Sequence, residues 1–380
     1  MSRHYLTKFM TRETDCAGGY LFLLPCAKTV MDFIRIDGSY GEGGGQILRT
    51  SVSLSAITNK PVEVFNIRAK RETPGLRPQH VTAIKAVASL CNATVENLSV
   101  GSSMVRFLPK EMHGGSMKMD VGTAGSITMI LQTIIPAVSL AGKRADVELI
   151  GGTDVRWSPT FDYMRYVVRA AYKILGINFD LNVLKRGYYP AGGGIVKASI
   201  EPCHKLNALD MVSAPKVEPK MVSVASMLPK HVAERQIASA LAKLQKENIK
   251  CNSYSASFEQ SYSPGSSILI YSTSDYGPFI GGDSIGERGK RAEQVGTEAA
   301  EKFLEAYLSN APIDPYLADM LVLPLSLADG RSKFIVNRVS QHLSTNLYIA
   351  SKIVNCRYEI SKSNGNYTVT VEGNPTLNRV

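Results

Sequence analysis

Three passes through one order of secondary-structure signals limit how this chain can fold. From Gln46 onward the sequence reads helix, strand, helix, strand, strand, and then repeats that order twice. The first pass has a helical apolar pattern over 46–58, a strand over 62–67, a helix over 79–91 and strands over 94–100 and 103–108. The second runs through 126–141, 145–150, 160–175, 178–185 and 194–200. The third runs through 316–328, 333–336, 340–354, 357–361 and 367–371. The expected class is α/β (α+β), a body of three like repeats. The passes are unevenly spaced, with about 110 additional residues between the second and third. That surplus has its own order: a strand over 221–226, an amphipathic helix over 233–247, strands over 252–258 and 267–274, a Gly-rich connector around Gly281 and Gly282, and a helix over 292–308. The expectation is a compact α/β domain over 213–311, inserted into a body formed by 31–212 and 312–380. Pro215, Pro219 and Pro312 lie near the junctions.

The stretch Asp37-Gly38-Ser39-Tyr40-Gly41-Glu42-Gly43-Gly44-Gly45-Gln46-Ile47-Leu48-Arg49 joins a strand over 33–36 to the first helix. Five glycines leave its backbone free to adopt positive φ and to approach a ligand closely, with one carboxylate, Glu42, among them. Arg49, in the first helical turn, would project back toward this loop, the geometry of a phosphate or metal-phosphate site. The plain alternative is a Gly-rich turn between a strand and a helix. No Gly-Lys-Ser/Thr follows, so this is not a Walker A loop, and the spacing is not that of a dinucleotide fingerprint.

Arg68-Ala69-Lys70-Arg71-Glu72-Thr73-Pro74-Gly75-Leu76-Arg77-Pro78-Gln79-His80 links the first pass's strand to its second helix. Pro74-Gly75 sets a turn that lets Arg68 and Arg71 converge with Gln79 and His80. Planar guanidinium forks suit a terminal phosphate. A solvated basic loop is the competing reading. In the third pass Ser340 is a candidate N-cap, which puts His342 in the first turn, where the macrodipole favours a neutral, nucleophilic imidazole. Asn346 follows one turn later, and Tyr316 and Asp319 open the other helix of that pass. A lone histidine is more often structural than catalytic.

Composition narrows the partners. With 380 residues, 44% hydrophobic and 20% charged, the chain is of ordinary globular make-up. Its net charge of +10 suits a polyanion such as nucleic acid. The six cysteines are scattered, with no CxxC pair, and read as reduced thiols of a cytoplasmic protein. No apolar run approaches a membrane span. Residues 1–30 carry basic residues before a short, interrupted apolar run without a cleavage site. They read as a poorly ordered or non-native extension, with Met31 as the functional start.

Taken in order, these motifs resemble the RNA 3'-terminal phosphate cyclase family. The resemblance rests on 37–49, Arg68 to His80, Gly151-Gly152-Thr153-Asp154, Tyr189-Pro190-Ala191-Gly192-Gly193-Gly194, His231-Val232-Ala233-Glu234-Arg235, Tyr316 to Asp319 and His342 to Asn346, and covers the chain from Met31 onward. It implies three βαβαββ repeats with a small inserted domain, related to a translation initiation factor C-terminal domain and to the enolpyruvyl transferases. It also implies an ATP-dependent reaction on RNA with a 3'-phosphate end, giving a 2',3'-cyclic phosphate through an adenylate on His342. By that resemblance Glu42 would hold a divalent metal, Mg2+ or Mn2+. Arg49, Arg68, Arg71, Gln79 and His80 would grip phosphates, including the RNA terminus. Gln132, Pro159, Tyr316, Leu317, Ala318, Asp319, Met320 and Asn346 would surround ATP, with Tyr316 stacking on the adenine.

Three other readings compete. A non-catalytic cyclase-like protein acting in rRNA processing or ribosome assembly would keep the fold without needing the nucleophile, and His342 argues against it. An enolpyruvyl transferase has no use for an adenylylated histidine. A plain RNA-binding module leaves Glu42 and His342 without a purpose. The sequence leaves the physiological RNA, the oligomeric state and activity on DNA or 5' ends open.

Overall fold

The computed structural model describes residues 32–375, so the extension expected over 1–30 lies outside the described residues. From Phe33 the chain belongs to one compact unit. Its first six elements are β1 (Ile34–Asp37), α1 (Gln46–Thr58), β2 (Val62–Phe65), α2 (Pro78–Leu90), β3 (Thr94–Glu96) and β4 (Val105–Leu108). They form a sheet of order β1-β2-β4-β3, parallel at β1–β2 and antiparallel elsewhere. Parallel neighbours need a crossover, which α1 supplies, whereas β3 and β4 pair directly as antiparallel neighbours.

The next stretch repeats the pattern. It comprises β5 (Gly115–Asp120), α3 (Ile127–Leu140), β6 (Ala145–Gly151), a helical segment, β7 (Phe179–Lys185) and β8 (Gly194–Ile200), in a sheet of order β5-β6-β8-β7. The helical segment is continuous but not uniform: α4 (Phe161–Tyr163), a π turn over Met164–Val168 and α5 (Arg169–Ile174). Such one-turn widenings inside α-helices often lie near functional sites.

Then comes β9 (Asp210–Met211), followed by β10 (Lys220–Ser226), α6 (His231–Lys246), β11 (Ser253–Phe258), β12 (Gly265–Thr273), β13 (Phe279–Ile285) and α7 (Ala292–Leu308). The chain closes with α8 (Pro315–Leu325), β14 (Arg331–Val336), α9 (Gln341–Val354), β15 (Arg357–Ser363) and β16 (Asn366–Glu372). Here β9 pairs parallel with β14, and the sheet β9-β14-β16-β15 has the connectivity of the first two.

Alternation along β6 shows how these sheets are used. Ala145, Val147 and Leu149 are buried while Asp146 between them is exposed, so one face meets the core and the other faces solvent. The helices lie inward: α1 packs on α2, α3 and α9, and α8 on α3 and α9. That is why nearly all of α1 and α3 is buried. The intervening elements form a sheet of order β11-β10-β12-β13 covered by α6 and α7, with a separate apolar cluster that includes Ile237, Leu244, Ile268, Val295 and Phe303.

Several expectations need correction. The Gly-rich connector at Gly281 and Gly282 is strand β13. A Cβ at Gly281 would stand 2.6 Å from the Tyr163 ring, and one at Gly282 would stand 2.3 Å from the Phe303 backbone nitrogen. The glycines therefore serve close packing on α4 and α7 rather than a turn. Strands β5 and β9 were not expected, because β5 is mostly exposed and β9 has two residues. The strand expected over 94–100 stops at Glu96, where Asn97 takes a left-handed φ of 60°.

Candidate active site

The loop between β1 and α1 works because side chains are missing from it. Gly41 and Gly43 are left-handed, with φ of 58° and 63°. A Cβ at Gly41 would lie 2.7 Å from Thr345 Oγ1, and one at Gly45 would lie 2.4 Å from His80 Nε2. The loop is thus pressed between α9 and α2. It forms part of the wall of a cleft of about 2350 Å³ onto which the first turns of α1, α2, α8 and α9 open. Four helix N-termini around one cavity make an environment suited to anions.

Glu42 is the hub. Its Oε1 contacts His342 Nε2, its Oε2 lies 3.0 Å from Arg71 Nη2, and Gln46 Nε2 donates to Oε1 at 3.4 Å. The other ring nitrogen of His342, Nδ1, faces Asp319 Oδ2 at 3.5 Å. Ser340 does two jobs here: its hydroxyl accepts from Leu343 N at 2.8 Å, capping α9, and donates to Asp319 Oδ1. Burial pushes the Asp319 carboxyl up from its ordinary value, against the opposing hydrogen bonds from His342 and Ser340. Asn346 does not reach the ring. Its Nδ2 donates to Asp319 O at 2.9 Å and its Oδ1 accepts from Thr50 at 3.0 Å, fastening α9 to α8 and α1.

A second group of cationic and amide donors lies alongside. Arg77 N donates to His80 Nδ1 at 3.1 Å, which leaves Nε2 as the protonated nitrogen of a neutral ring. Burial, assisted by Arg49, Arg68 and Arg77, lowers His80 to about 3, so that neutral form persists. Arg49 is lowered to about 10 by burial, opposed by Asp319, and stays charged. Its Nη1 lies 3.6 Å from the soft sulfur of Met129. Gln79 accepts from Ser126 N at 3.1 Å and its Nε2 also points at Met129 Sδ. Burial lowers Arg68, with Arg71 and Arg77 adding to the effect. The Nε atoms of Arg68 and Arg71 are buried without a partner. Buried guanidinium Nε donors without a protein partner, beside a neutral imidazole N–H, have the chemistry of an anion cradle.

Every candidate named from the sequence lines this cleft except Leu317 and Ala318, which are fully buried in the core. Gln132, Pro159, Tyr316 and Met320 lie on its wall; the Pro159 carbonyl accepts from Thr128, and Lys302 Nζ stands 5.9 Å from the Tyr316 ring centroid. Sequence reasoning missed Asp314, the buried cap of α8. It accepts from Tyr316 N at 2.8 Å, Leu317 N at 3.0 Å, Gly281 N at 2.9 Å and Tyr163 Oη, and burial raises it to about 7. An Asp-Pro pair opening an apolar helix was the available signal. Arg186 was also missed. It is fully buried and binds Asp154 at 3.1 Å, Asp162 at 2.8 Å and Glu259 at 2.7 Å, and no local pattern announces that.

Among the described residues no group of three or more His, Cys, Asp or Glu side chains is placed to hold a metal. A cation here would depend on Glu42, with phosphate oxygens and water completing its shell, which is the ordinary manner of Mg2+ binding at phosphate sites.

A mixed α/β body of repeated four-stranded modules, with a histidine between two carboxylates next to an arginine-lined anion cradle, defines a phosphate-handling protein with a candidate nucleophile. The family model for RNA 3'-terminal phosphate cyclase matches residues 40–360. A protein of that name from Pyrobaculum aerophilum is 43% identical over 341 residues, covering 90% of this chain and 98% of its own. One from Methanopyrus kandleri is 42% identical over 351 residues, covering 91% and 99%, and one from Pyrococcus furiosus is 42% identical over 330, covering 86% and 95%. The chain belongs to the RNA 3'-terminal phosphate cyclase family.

Proposed function

We propose that this protein uses ATP to convert an RNA 3'-terminal phosphate into a 2',3'-cyclic phosphodiester through a covalent adenylate on His342. The observation that carries the reading is the contact of His342 with Glu42 and Asp319 beside the buried, partnerless Nε atoms of Arg68 and Arg71.

A phosphate monoester offers a hydroxyl nucleophile no good leaving group, so one has to be installed. His342 Nε2 attacks the α-phosphorus of ATP; a P–N bond forms, the α–β P–O bond breaks and pyrophosphate departs. An oxygen of the RNA 3'-phosphate then attacks the adenylyl phosphorus, breaking the P–N bond and restoring His342. Finally the vicinal 2'-oxygen, giving its proton to water, bonds to the 3'-phosphorus while the anhydride P–O bond breaks and AMP departs.

Asp319, facing Nδ1, holds the proton on that nitrogen and so presents the Nε2 lone pair. Attack requires Glu42 to release Nε2. A divalent ion, Mg2+ or Mn2+, bound by Glu42 would neutralise charge on the departing pyrophosphate. Arg49, Arg68, Arg71, Gln79 and His80 hold the RNA phosphate; Gln132, Pro159, Tyr316 and Met320 flank the adenosine, supported by the α8 backbone at Leu317 and Ala318 and by Asn346. The second apolar core supports reading 213–311 as a domain inserted into a body of 31–212 and 312–380. Location in the cytoplasm remains part of the same proposal; no helix of the described residues is long and apolar enough to cross a membrane.

The test is an oligoribonucleotide labelled internally and ending in a 3'-phosphate, incubated with protein, ATP and Mg2+. The end should become resistant to phosphatase, and this should be lost without ATP. An end that stays phosphatase-sensitive with folded protein contradicts the proposal.

A further inference from the structure

Trp157 is the only tryptophan of the chain, and it is 90% exposed on the wall of the cleft. It adopts a left-handed φ of 65°, a conformation bulky side chains avoid. Neither burial nor backbone preference accounts for an indole held this way, and strained residues of this kind collect at ligand sites. The loop is braced on both sides: Ser158 Oγ donates to Val155 O at 2.8 Å, and the Arg156 guanidinium makes a two-pronged pair with Glu287, beyond β13. The indole is therefore presented by an anchored loop. Tyr189, 79% exposed, lies on the same cleft. Arg288 and Arg291 line that cleft too, without an acidic partner in ion-pair range among the described residues.

We propose that Trp157 and Tyr189 form a stacking platform for bases on the 5' side of the RNA terminus, with Arg288 and Arg291 neutralising the adjoining backbone. This deepens the function proposed above and rests on the terminal phosphate being held by the arginine cradle of the same cleft. Exposed aromatic faces beside unpaired guanidinium groups are what a single strand needs, since stacking accepts any base and the cations follow the backbone. A protein partner would use the aromatic rings but would leave the unpaired cations without a role.

The single tryptophan makes the contact directly readable. Without ATP, wild-type protein is titrated with a single-stranded RNA of about ten nucleotides carrying a 3'-phosphate and a 5' fluorophore, and with an abasic strand of equal length. Binding is followed by fluorophore anisotropy and stacking by indole emission. The proposal expects indole quenching by RNA and little by the abasic strand. Trp157→Ala should weaken RNA binding about ten-fold, and Trp157→Phe should restore most of it. If RNA binds while indole emission stays unchanged, the platform is overturned, the terminal site stands, and the patch falls to a protein partner. If the 3'-phosphate RNA does not bind at all, both the platform and the proposed function are contradicted.

Discussion

Glu42 contacts the candidate nucleophile through one oxygen and Arg71 through the other. The proposal separates their roles. Arg71→Ala removes a cradle donor but leaves His342 and the adenosine wall intact. It should weaken binding of 3'-phosphate RNA at least ten-fold while slowing adenylate formation much less, as filter binding and labelling with ATP would show. Equal loss of both contradicts the assignment. His80 gives a prediction of a different kind. Its folded pKa lies near 3 against about 6.5 in the unfolded chain, so protons bind the unfolded state preferentially. The resulting stability is present above pH 6.5 and is lost as pH falls toward 3, by an amount on the order of a few kcal/mol. Denaturant unfolding should show the stability gap between wild type and His80→Gln narrowing from pH 7 to pH 4. A gap independent of pH contradicts a neutral, buried imidazole.

Arg186 joins elements that lie far apart in the chain. It ties the end of β7 to Asp154 after β6, to Asp162 in α4 and to Glu259 beyond β11. Removing the guanidinium leaves carboxylates without their cation, two of them buried, which typically costs about 3–5 kcal/mol. Arg186→Ala should therefore lower the urea midpoint sharply; a loss below about 1 kcal/mol would mean that water or another cation replaces it. Nothing in the local sequence marks this residue, because burial of an arginine is decided by partners far away in sequence. The same distinction explains which elements were legible. The long helices α1, α3 and α9 show their apolar period in the sequence, and Ser340 caps α9 as its type and position suggest. Strand β9 is too short to show a period, and at Gly281 and Gly282 glycine signals a turn locally but is required by the Tyr163 ring and the α7 backbone.

Over the whole molecule, the sequence displays the order of elements and the surplus between the second and third passes, while the pairing of β9 with β14 across that surplus emerges only in three dimensions. The candidate site was legible as a set of motifs, but its convergence was not. Gly41 against Thr345, Gly45 against His80 and Glu42 against His342 are contacts between passes or between distant parts of one pass. Leu317 and Ala318 show the reverse: they adjoin Tyr316 in sequence, yet the helix turns their side chains into the core. Trp157, without a family role in the sequence reading, stands on the cleft wall. The first measurement is covalent labelling of the purified protein with ATP radiolabelled at the α-phosphate in the presence of Mg2+. A label that survives alkali, is released by mild acid and is absent from His342→Ala, with that variant melting at the wild-type temperature, is the expected result. No label on folded protein, or a label that persists in His342→Ala, would contradict a reaction through this histidine.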